Sequence, residues 1–300
     1  MKILLTGKNG QVGFELQRAL APLGTVHAVD SGDCDLADEQ ALRALIRASR
    51  PDIIVNPAAY TAVDRAEDEA GGRLSTAVNA IAPGVMGEEA ARLGAAVIHY
   101  STDYVFDGHK TTPYAETDPT APLGAYGRSK REGERALMRS TPRHLVLRTS
   151  WVVGAHGSNF AKTMLRLAAE RDELRVVSDQ VGAPTSAALI ADVTAHLVRQ
   201  MQRAGSDPFP YGLYHATAGG ETSWCDYARF VIGYALRTGH ALRVTPNEVH
   251  PISSDQYPTA ARRPTNSRLD TTLFRSTFGF ELPHWQEGLG HILQQILRTP

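Results

Sequence analysis

A chain of 300 residues with 42% hydrophobic and 21% charged residues has room for one large α/β domain, or for a nucleotide domain with a smaller lobe. A formal net charge of -1 excludes the basic footprint of a nucleic-acid or anionic-membrane binder, and two cysteines, Cys34 and Cys225, make no disulfide framework. The opening apolar run Ile3-Leu4-Leu5 is too short for a signal peptide and no run approaches a bilayer span, so the expectation is a cytoplasmic protein.

The first half alternates short apolar runs with helical patterns, as parallel βαβ units do. Lys2–Thr6 reads as a strand, Val12–Ala21 as a helix and Val26–Asp30 as a second strand. Glu39–Ser49 is helical, with Leu42, Leu45 and Ile46 at core spacing. Asp52–Asn56 reads as a buried strand, and Val78–Leu93 as a helix that has to absorb Pro83 and Gly84 in a bend or an irregular first turn. Ala96–Ser101 is the next strand, Ser129–Arg139 a helix and His144–Thr149 another strand. Past residue 150 helices read at Asn159–Glu170 and Ala187–Gln202, separated by longer links rich in Pro, Gly and Asp. The pattern predicts a Rossmann-type doubly wound parallel sheet with a smaller C-terminal substrate-binding lobe. Residues 1–150 with roughly 185–215 form the dinucleotide-binding domain, and 151–184 with 216–300 the lobe.

Gly7, Gly10 and Gly13 form a G-x-x-G-x-x-G turn between a strand and a helix. Such a turn needs glycines for tightness, for close approach to a pyrophosphate and for helix–strand packing, and the helix start offers free N–H groups to phosphates. Asp30 ends the second strand, where a carboxylate holds an adenosine ribose and repels a 2′-phosphate; Lys8 in the turn counters that repulsion. NADH and NADPH both remain open as cofactor.

Tyr126 and Lys130 stand one helical turn apart, on one face if the helix begins there. A phenol with an ordinary pKa near 10 is a poor acid–base group at neutral pH, and a neighbouring lysine favours its phenolate. Thr102 follows the strand Ala96–Ser101, at the carboxyl end where Rossmann ligands bind, so its hydroxyl is expected to share a carbonyl oxygen with the Tyr126 phenol. The alternative for Thr102 is a local backbone cap. Ala58 and Ala59 offer small side chains beneath a flat cofactor, or simple helix–sheet packing. Trp151 reads either as a stacking surface for a sugar or as a core tryptophan. Arg262 and Arg263 read either as a diphosphate clamp or as a solvated or lobe-stabilising pair.

The glycine turn, Ser101-Thr102-Asp103-Tyr104-Val105-Phe106-Asp107-Gly108 and Tyr126-x-x-x-Lys130 together resemble the extended short-chain dehydrogenase/reductase family. Arg148-Thr149-Ser150-Trp151-Val152, Asn159-Phe160-Ala161-Lys162-Thr163-Met164, Asp179-Gln180-x-Gly182-Ala183-Pro184-Thr185 and Tyr257-Pro258-Thr259-x-Ala261-Arg262-Arg263-Pro264-x-Asn266-Ser267 extend the resemblance to the dTDP-4-dehydrorhamnose reductases, almost end to end. The resemblance implies that Gln11, Val12, Asp30, Asp35, Leu36, Ala58, Ala59, Tyr60 and Tyr100 meet the dinucleotide. It implies that Thr102, Asp103 and Trp151 meet the sugar, and that Thr102, Tyr126 and Lys130 run NAD(P)H-dependent reduction of a 4-keto dTDP-sugar for dTDP-rhamnose supply. Two departures stand out. Pro57 occupies a position where relatives often carry alanine. Some relatives are Mg²⁺-dependent dimers through interface carboxylates, but Ala187–Asp192 is nearly uncharged and Glu287 alone does not make that site. The expectation is therefore no metal, and a monomer or homodimer. An NAD-retaining epimerase or dehydratase of the same fold is the rival reading, which retained cofactor would favour; a dehydratase needs an extra acid–base pair after Thr102, and Asp103-Tyr104 has no adjacent glutamate. A non-catalytic regulatory subunit of this fold would usually lack the Tyr–Lys pair.

Overall fold

The computed structural model describes residues 1–204 and 208–298. Residues 205–207, inside the segment assigned to the dinucleotide domain, and 299–300, at the end of the lobe, lie outside the described residues.

The first half of the chain winds as strand and helix in turn: β1 (Lys2–Leu5), α1 (Gln11–Leu20), β2 (Thr25–Ala28), α2 (Glu39–Ser49) and β3 (Ile53–Asn56). It continues through α3 (Glu69–Thr76), α4 (Ala82–Leu93), β4 (Ala96–Thr102), α5 (Ala125–Ser140) and β5 (His144–Thr149). The second half holds β6 (Val152–Val153), α6 (Phe160–Glu170), β7 (Leu174–Val177), β8 (Val181–Gly182), β9 (Thr185–Ser186) and α7 (Ala187–Ala204). Then come β10 (Gly212–His215), β11 (Thr222–Ser223), α8 (Trp224–Arg237), β12 (Val249–Ile252), α9 (Thr272–Phe278) and α10 (Trp285–Arg298). Six parallel strands form the central sheet in the order β10-β5-β4-β3-β1-β2, with the order reversing between β1 and β3. In such sheets ligands bind beyond the carboxyl ends of the strands, at that reversal.

Strand alternation assigns each side chain to one of two layers. Ile3, Leu5, Ile53, Val55, Ile98 and Leu147 pack with Leu16 and Leu20 of α1 and Ile190 and Leu197 of α7. Leu4, Ile54, Val97 and Val146 face Leu42 and Ile46 of α2, Met86 of α4 and Leu137 of α5. A third core, built by Met164, Leu174, Val231, Trp285 and Leu289, belongs to the lobe. Helix α9 lies in the stretch assigned to the lobe, yet Phe274 and Phe278 join the core beneath the sheet.

Three of the differences from the sequence reading bear on the site. Helix α5 starts at Ala125, not Ser129, because Glu67 Oε1 accepts a 2.7 Å hydrogen bond from the Ala125 N–H and caps the helix from another segment. The helix expected at Val78–Leu93 divides into a π-helical turn, Ala77–Ile81, and α4, whose first turn carries Pro83. Before it runs α3, hidden in the sequence by the pair Gly71-Gly72, where Gly71 admits the Arg65 carbonyl that a Cβ would meet at 1.8 Å.

Candidate active site

A cleft of about 940 Å³ opens over the carboxyl ends of β1, β3 and β4, and its wall gathers residues from the whole chain. Gly7, Gly10, Gln11, Val12, Gly13, Asp30, Asp35, Leu36, Ala58, Ala59, Tyr60 and Tyr100 line it, as do Thr102, Asp103, Tyr126, Lys130 and Trp151. Neither Arg262, which is exposed, nor the half-buried Arg263 is part of that wall.

The glycine turn is built by contact. Gly7 has φ +61°, and a Cβ there would lie 2.9 Å from Ala58 Cα; a Cβ on Gly13 would lie 2.0 Å from the Gly7 carbonyl oxygen. Gly10 caps α1 without a side-chain hydrogen bond, and no acidic residue stands in the first turn, so this helix end suits an anion. Gln11 contributes differently from expectation. Its Oε1 accepts hydrogen bonds from Gly154 N (2.8 Å) and Asn159 Nδ2 (3.0 Å), so its side chain ties the turn to the second lobe. Asp30 stands at the β2 end and accepts from Gly32 N (2.8 Å) and from Asn9 Nδ2. Lys8 sits 2.5 Å from Asp33 and 3.7 Å from Asp30, and this pairing holds its ammonium above the usual lysine range. Asp35 and Leu36 follow in the same wall, Leu36 buried beside it.

The segment Ala58–Tyr60 is fixed by Asn79, a fully buried residue of the π-helical turn. Its Oδ1 accepts from Tyr60 N (2.9 Å), and its Nδ2 donates to Tyr60 O (3.0 Å) and to Ser129 Oγ (3.1 Å) on α5. The irregular turn, which Pro83 and Gly84 had announced, thus registers the Ala58–Tyr60 wall against α5, while the role of Asn79 in it left no local signal. Tyr100 lines the cleft, but its phenol is turned away, 2.7 Å from Thr194 Oγ1 on α7.

Tyr126 occupies the second position of α5, and Lys130 follows one turn later. The Thr102 hydroxyl donates to Asp103 Oδ1 (2.9 Å) and accepts from Tyr104 N (3.2 Å), and it stands close enough to the Tyr126 phenol to favour its ionised form, so it is both a neighbour of the phenol and a local cap. Burial and the Asp103 carboxylate push the Tyr126 phenol above its usual range, opposed only by Thr102. The expectation that Lys130 draws the phenol down is therefore corrected. Its Nζ donates to the Tyr100 carbonyl (2.6 Å) and lies 3.4 Å from His99 Nε2, and burial pushes its own pKa down to about 8 against the pull of Glu134. Glu134 is itself held by Arg148 at 2.7 Å, both nearly fully buried. Burial also lifts the Asp103 carboxyl to about 6, against hydrogen bonds from Ser267 and Thr102. Ser101 Oγ and Thr149 Oγ1, both at the cleft, are buried without a protein partner, as groups awaiting a polar ligand would be.

Trp151 adopts φ +47°, a costly conformation for a bulky residue, and its ring stacks on Trp224 at 3.7 Å between centroids. Gly182 leaves room for that ring: a Cβ there would touch it at 2.7 Å. The pair presents an indole wall to the cleft, and Trp224 is the half that the sequence did not reveal. Of the two arginines it is Arg263 that turns inward. Its Nη2 lies 2.8 Å from Asp64 Oδ2, and its charge is felt by the Tyr104 phenol at the cleft wall. Among the described residues no cluster of three His, Cys, Asp or Glu side chains is arranged to hold a metal, and no helix is long and apolar enough to cross a membrane.

The turn, the ribose carboxylate at the β2 end and the flat wall Ala58–Ala59 fit an extended dinucleotide, and the Thr102–Tyr126–Lys130 group lies at its far end. Known proteins resemble the chain over its whole length. The family profile described as RmlD substrate binding domain matches residues 1–298. A dTDP-4-dehydrorhamnose reductase of Shigella flexneri is 48% identical over 303 residues, covering 100% of this chain and 99% of that protein. The crystal structure of a dTDP-4-dehydrorhamnose reductase of Clostridium acetobutylicum superposes with a TM-score of 0.89 at 36% identity, covering 98% of this chain and 99% of the other. That of Bacillus anthracis, solved in complex with NADP, superposes with a TM-score of 0.88 at 33% identity and the same coverage. With a glycine turn, a Thr–Tyr–Lys group and a lobe that follow one pattern over its whole length, the chain belongs to the RmlD substrate-binding family of Rossmann-type reductases.

Proposed function

We propose that the protein is an NAD(P)H-dependent oxidoreductase that reduces the 4-keto group of dTDP-4-dehydro-β-L-rhamnose, giving dTDP-β-L-rhamnose for cell-surface polysaccharide. In this reading it works in the cytoplasm, as a monomer or homodimer, without a metal. The observation that carries it is the meeting of the Thr102 hydroxyl, the Tyr126 phenol and the Lys130 ammonium in the cleft that also holds the glycine turn.

The dinucleotide supplies a hydride for the sugar C4. The protein's own groups do the rest. The first turn of α1 and Asp30 hold the diphosphate and the adenosine ribose, and Ala58, Ala59 and Tyr60 shape the wall along the cofactor. Thr102 and Tyr126 grip the carbonyl oxygen by two hydrogen bonds, which strengthen as that oxygen gains negative charge. Tyr126 then delivers its proton to the nascent alkoxide. A phenol held above its ordinary pKa stays protonated at neutral pH, the state required of a general acid. Lys130 holds its place by Tyr100 and orients the nicotinamide end, the indole of Trp151 packs against the sugar, and Arg263 rather than Arg262 meets the diphosphate.

NADPH oxidation with a panel of 4-keto nucleotide sugars tests the reading. The dTDP-linked substrate should be consumed fastest, and Tyr126→Phe should cost roughly a hundredfold or more in kcat with little change in NADPH affinity. Oxidation of none of the panel, or a Tyr126→Phe enzyme with more than about a tenth of the normal turnover, would overturn it.

A further inference from the structure

Beneath the Lys130 ammonium, three buried polar residues form a line across the sheet. Lys130 Nζ lies 3.4 Å from His99 Nε2, His99 Nδ1 lies 3.0 Å from Asn56 Nδ2, and Asn56 Oδ1 accepts from the Thr6 hydroxyl at 2.6 Å. All are at most 2% exposed, so each hydrogen has to find a partner inside the line. Thr6 also borders the cleft, immediately before Gly7.

The direction of these bonds has a consequence for the lysine. Asn56 donates to His99 Nδ1, which leaves the proton of a neutral imidazole on Nε2, pointing at Lys130. An amine can accept that proton; an ammonium, with no lone pair, cannot. The arrangement therefore belongs to neutral Lys130. For the ammonium, Nε2 has to be bare and the ring proton has to sit on Nδ1. The Asn56 carboxamide then turns end for end, its oxygen accepting from His99 and its Nδ2 donating to Thr6. The Thr6 hydroxyl proton is released towards the cleft. In both directions the His99 ring and the Asn56 carboxamide keep a partner on each side.

We propose that Thr6, Asn56 and His99 form a reversible hydrogen-bond chain whose direction follows the proton on Lys130, with His99 as the positioning residue for the lysine. Lys130 is placed to populate both states near neutral pH, since burial brings it to about 8. The ring itself stays neutral throughout, because burial and Lys130 hold it well below the usual histidine range. Other charged or titratable groups around the lysine are Tyr126 and Glu134 on α5, Asp103 and Tyr104 at the end of β4, and Arg148 on β5, which is engaged by Glu134.

Nitrogen-15 NMR of the imidazoles, on the full protein without cofactor or substrate, reads the chain directly. His99 should carry its proton on Nδ1 below the lysine's midpoint and on Nε2 above it, exchanging near pH 8, and Lys130→Met should abolish the exchange. One tautomer throughout the titration, or an exchange that survives Lys130→Met, overturns the proposal. Its bearing on turnover rests on the reductase reading and has a separate readout. In His99→Leu the ammonium loses a charge-assisted acceptor and the amine only a neutral donor, so the alkaline limb of kcat/KM should move down by about one pH unit. An unmoved limb with merely lowered thermal stability removes His99 as a positioning residue. A tautomer exchange without any keto-sugar turnover leaves the chain standing and the reductase reading refuted.

Discussion

Substituting Gly13 by alanine gives a sharp test of the phosphate turn, because the structure fixes where the added methyl goes. The new Cβ would lie 2.0 Å from the Gly7 carbonyl oxygen, against an ordinary contact of 3.4 Å or more, so the two have to part by about 1.4 Å. Gly7 has no room to retreat, since it lies against Ala58 at a distance where its own Cβ would clash at 2.9 Å. The displacement therefore goes into the turn and the start of α1. Overpacking of this kind costs about 1–3 kcal/mol of stability, and a displaced N–H loses part of a phosphate hydrogen bond worth about 1.5–3 kcal/mol. The expected result is at least a tenfold loss of NADPH affinity, read by calorimetry, with a thermal midpoint lower by a few degrees. Gly10→Ala is the internal control: its Cβ would lie 3.3 Å from the same oxygen, so it should be nearly neutral in stability. Gly13→Ala binding NADPH within about threefold of the parent would refute the reasoning, because no other backbone path lets the turn keep its shape.

Asp30→Ala should weaken NADH more than NADPH, since it removes a ribose partner and a charge that repels a 2′-phosphate; equal losses in a paired binding measurement would show that Asp30 does not reach the ribose. Arg263→Ala should raise KM for the sugar nucleotide about ten- to a hundredfold and spare NADPH affinity, while Arg262→Ala changes neither; the opposite ranking would move the clamp to Arg262. Glu89 is 1% exposed and gripped by Arg43, Arg47 and Arg92, which hold its carboxyl down to about 2. A depressed carboxylate stabilises the fold above its unfolded value and loses that contribution as pH falls towards 2, so acid unfolding of Glu89→Gln should depend less on pH between about 4.5 and 2 than that of the parent. Equal slopes in urea titrations across that window would contradict the assignment.

The nucleotide half was legible because its signals are local. Strand alternation, the Gly7–Gly13 spacing and the acidic end of β2 each follow from a few neighbouring residues, and the five strands they predict all join the parallel sheet, whose sixth strand, β10, was not read. Helix α5 was read four residues short because its start has no local cap; the cap is Glu67, 58 residues earlier. The same holds for the indole wall. Trp151 was singled out, but its partner Trp224 comes 73 positions later, at the start of a helix that the sequence reading did not include. His99 left a usable sign: a titratable residue in the run Ala96–Thr102, every member of which is buried, has to answer to a specific partner. Arg263 could not be told from Arg262 by sequence, because adjacent residues in an irregular segment point apart, and only the fold says which one meets Asp64.

Two short supports join these distant pieces, and both lie outside the chemistry. Gln11 ties the phosphate turn to the second lobe through Gly154 and Asn159. The single turn Asp64–Glu67 holds two parts of the substrate end at once. Asp64 accepts from Ala261 N (3.1 Å) and from Arg263, while Glu67 receives the first N–H of the catalytic helix. Arg263 and Tyr126 therefore rest on one piece of backbone, three residues from anchor to anchor. Residues that share a support respond together when it shifts, so their contributions to binding and to turnover are not independent quantities. A change that loosens the turn reaches both Arg263 and the aim of the phenol, and a change that spares it leaves each free to be altered alone. This is the physical reason for pairing every substitution in the strap 259–264 with a measurement of kcat as well as KM: the two parameters separate only while the Asp64–Glu67 turn stays in place.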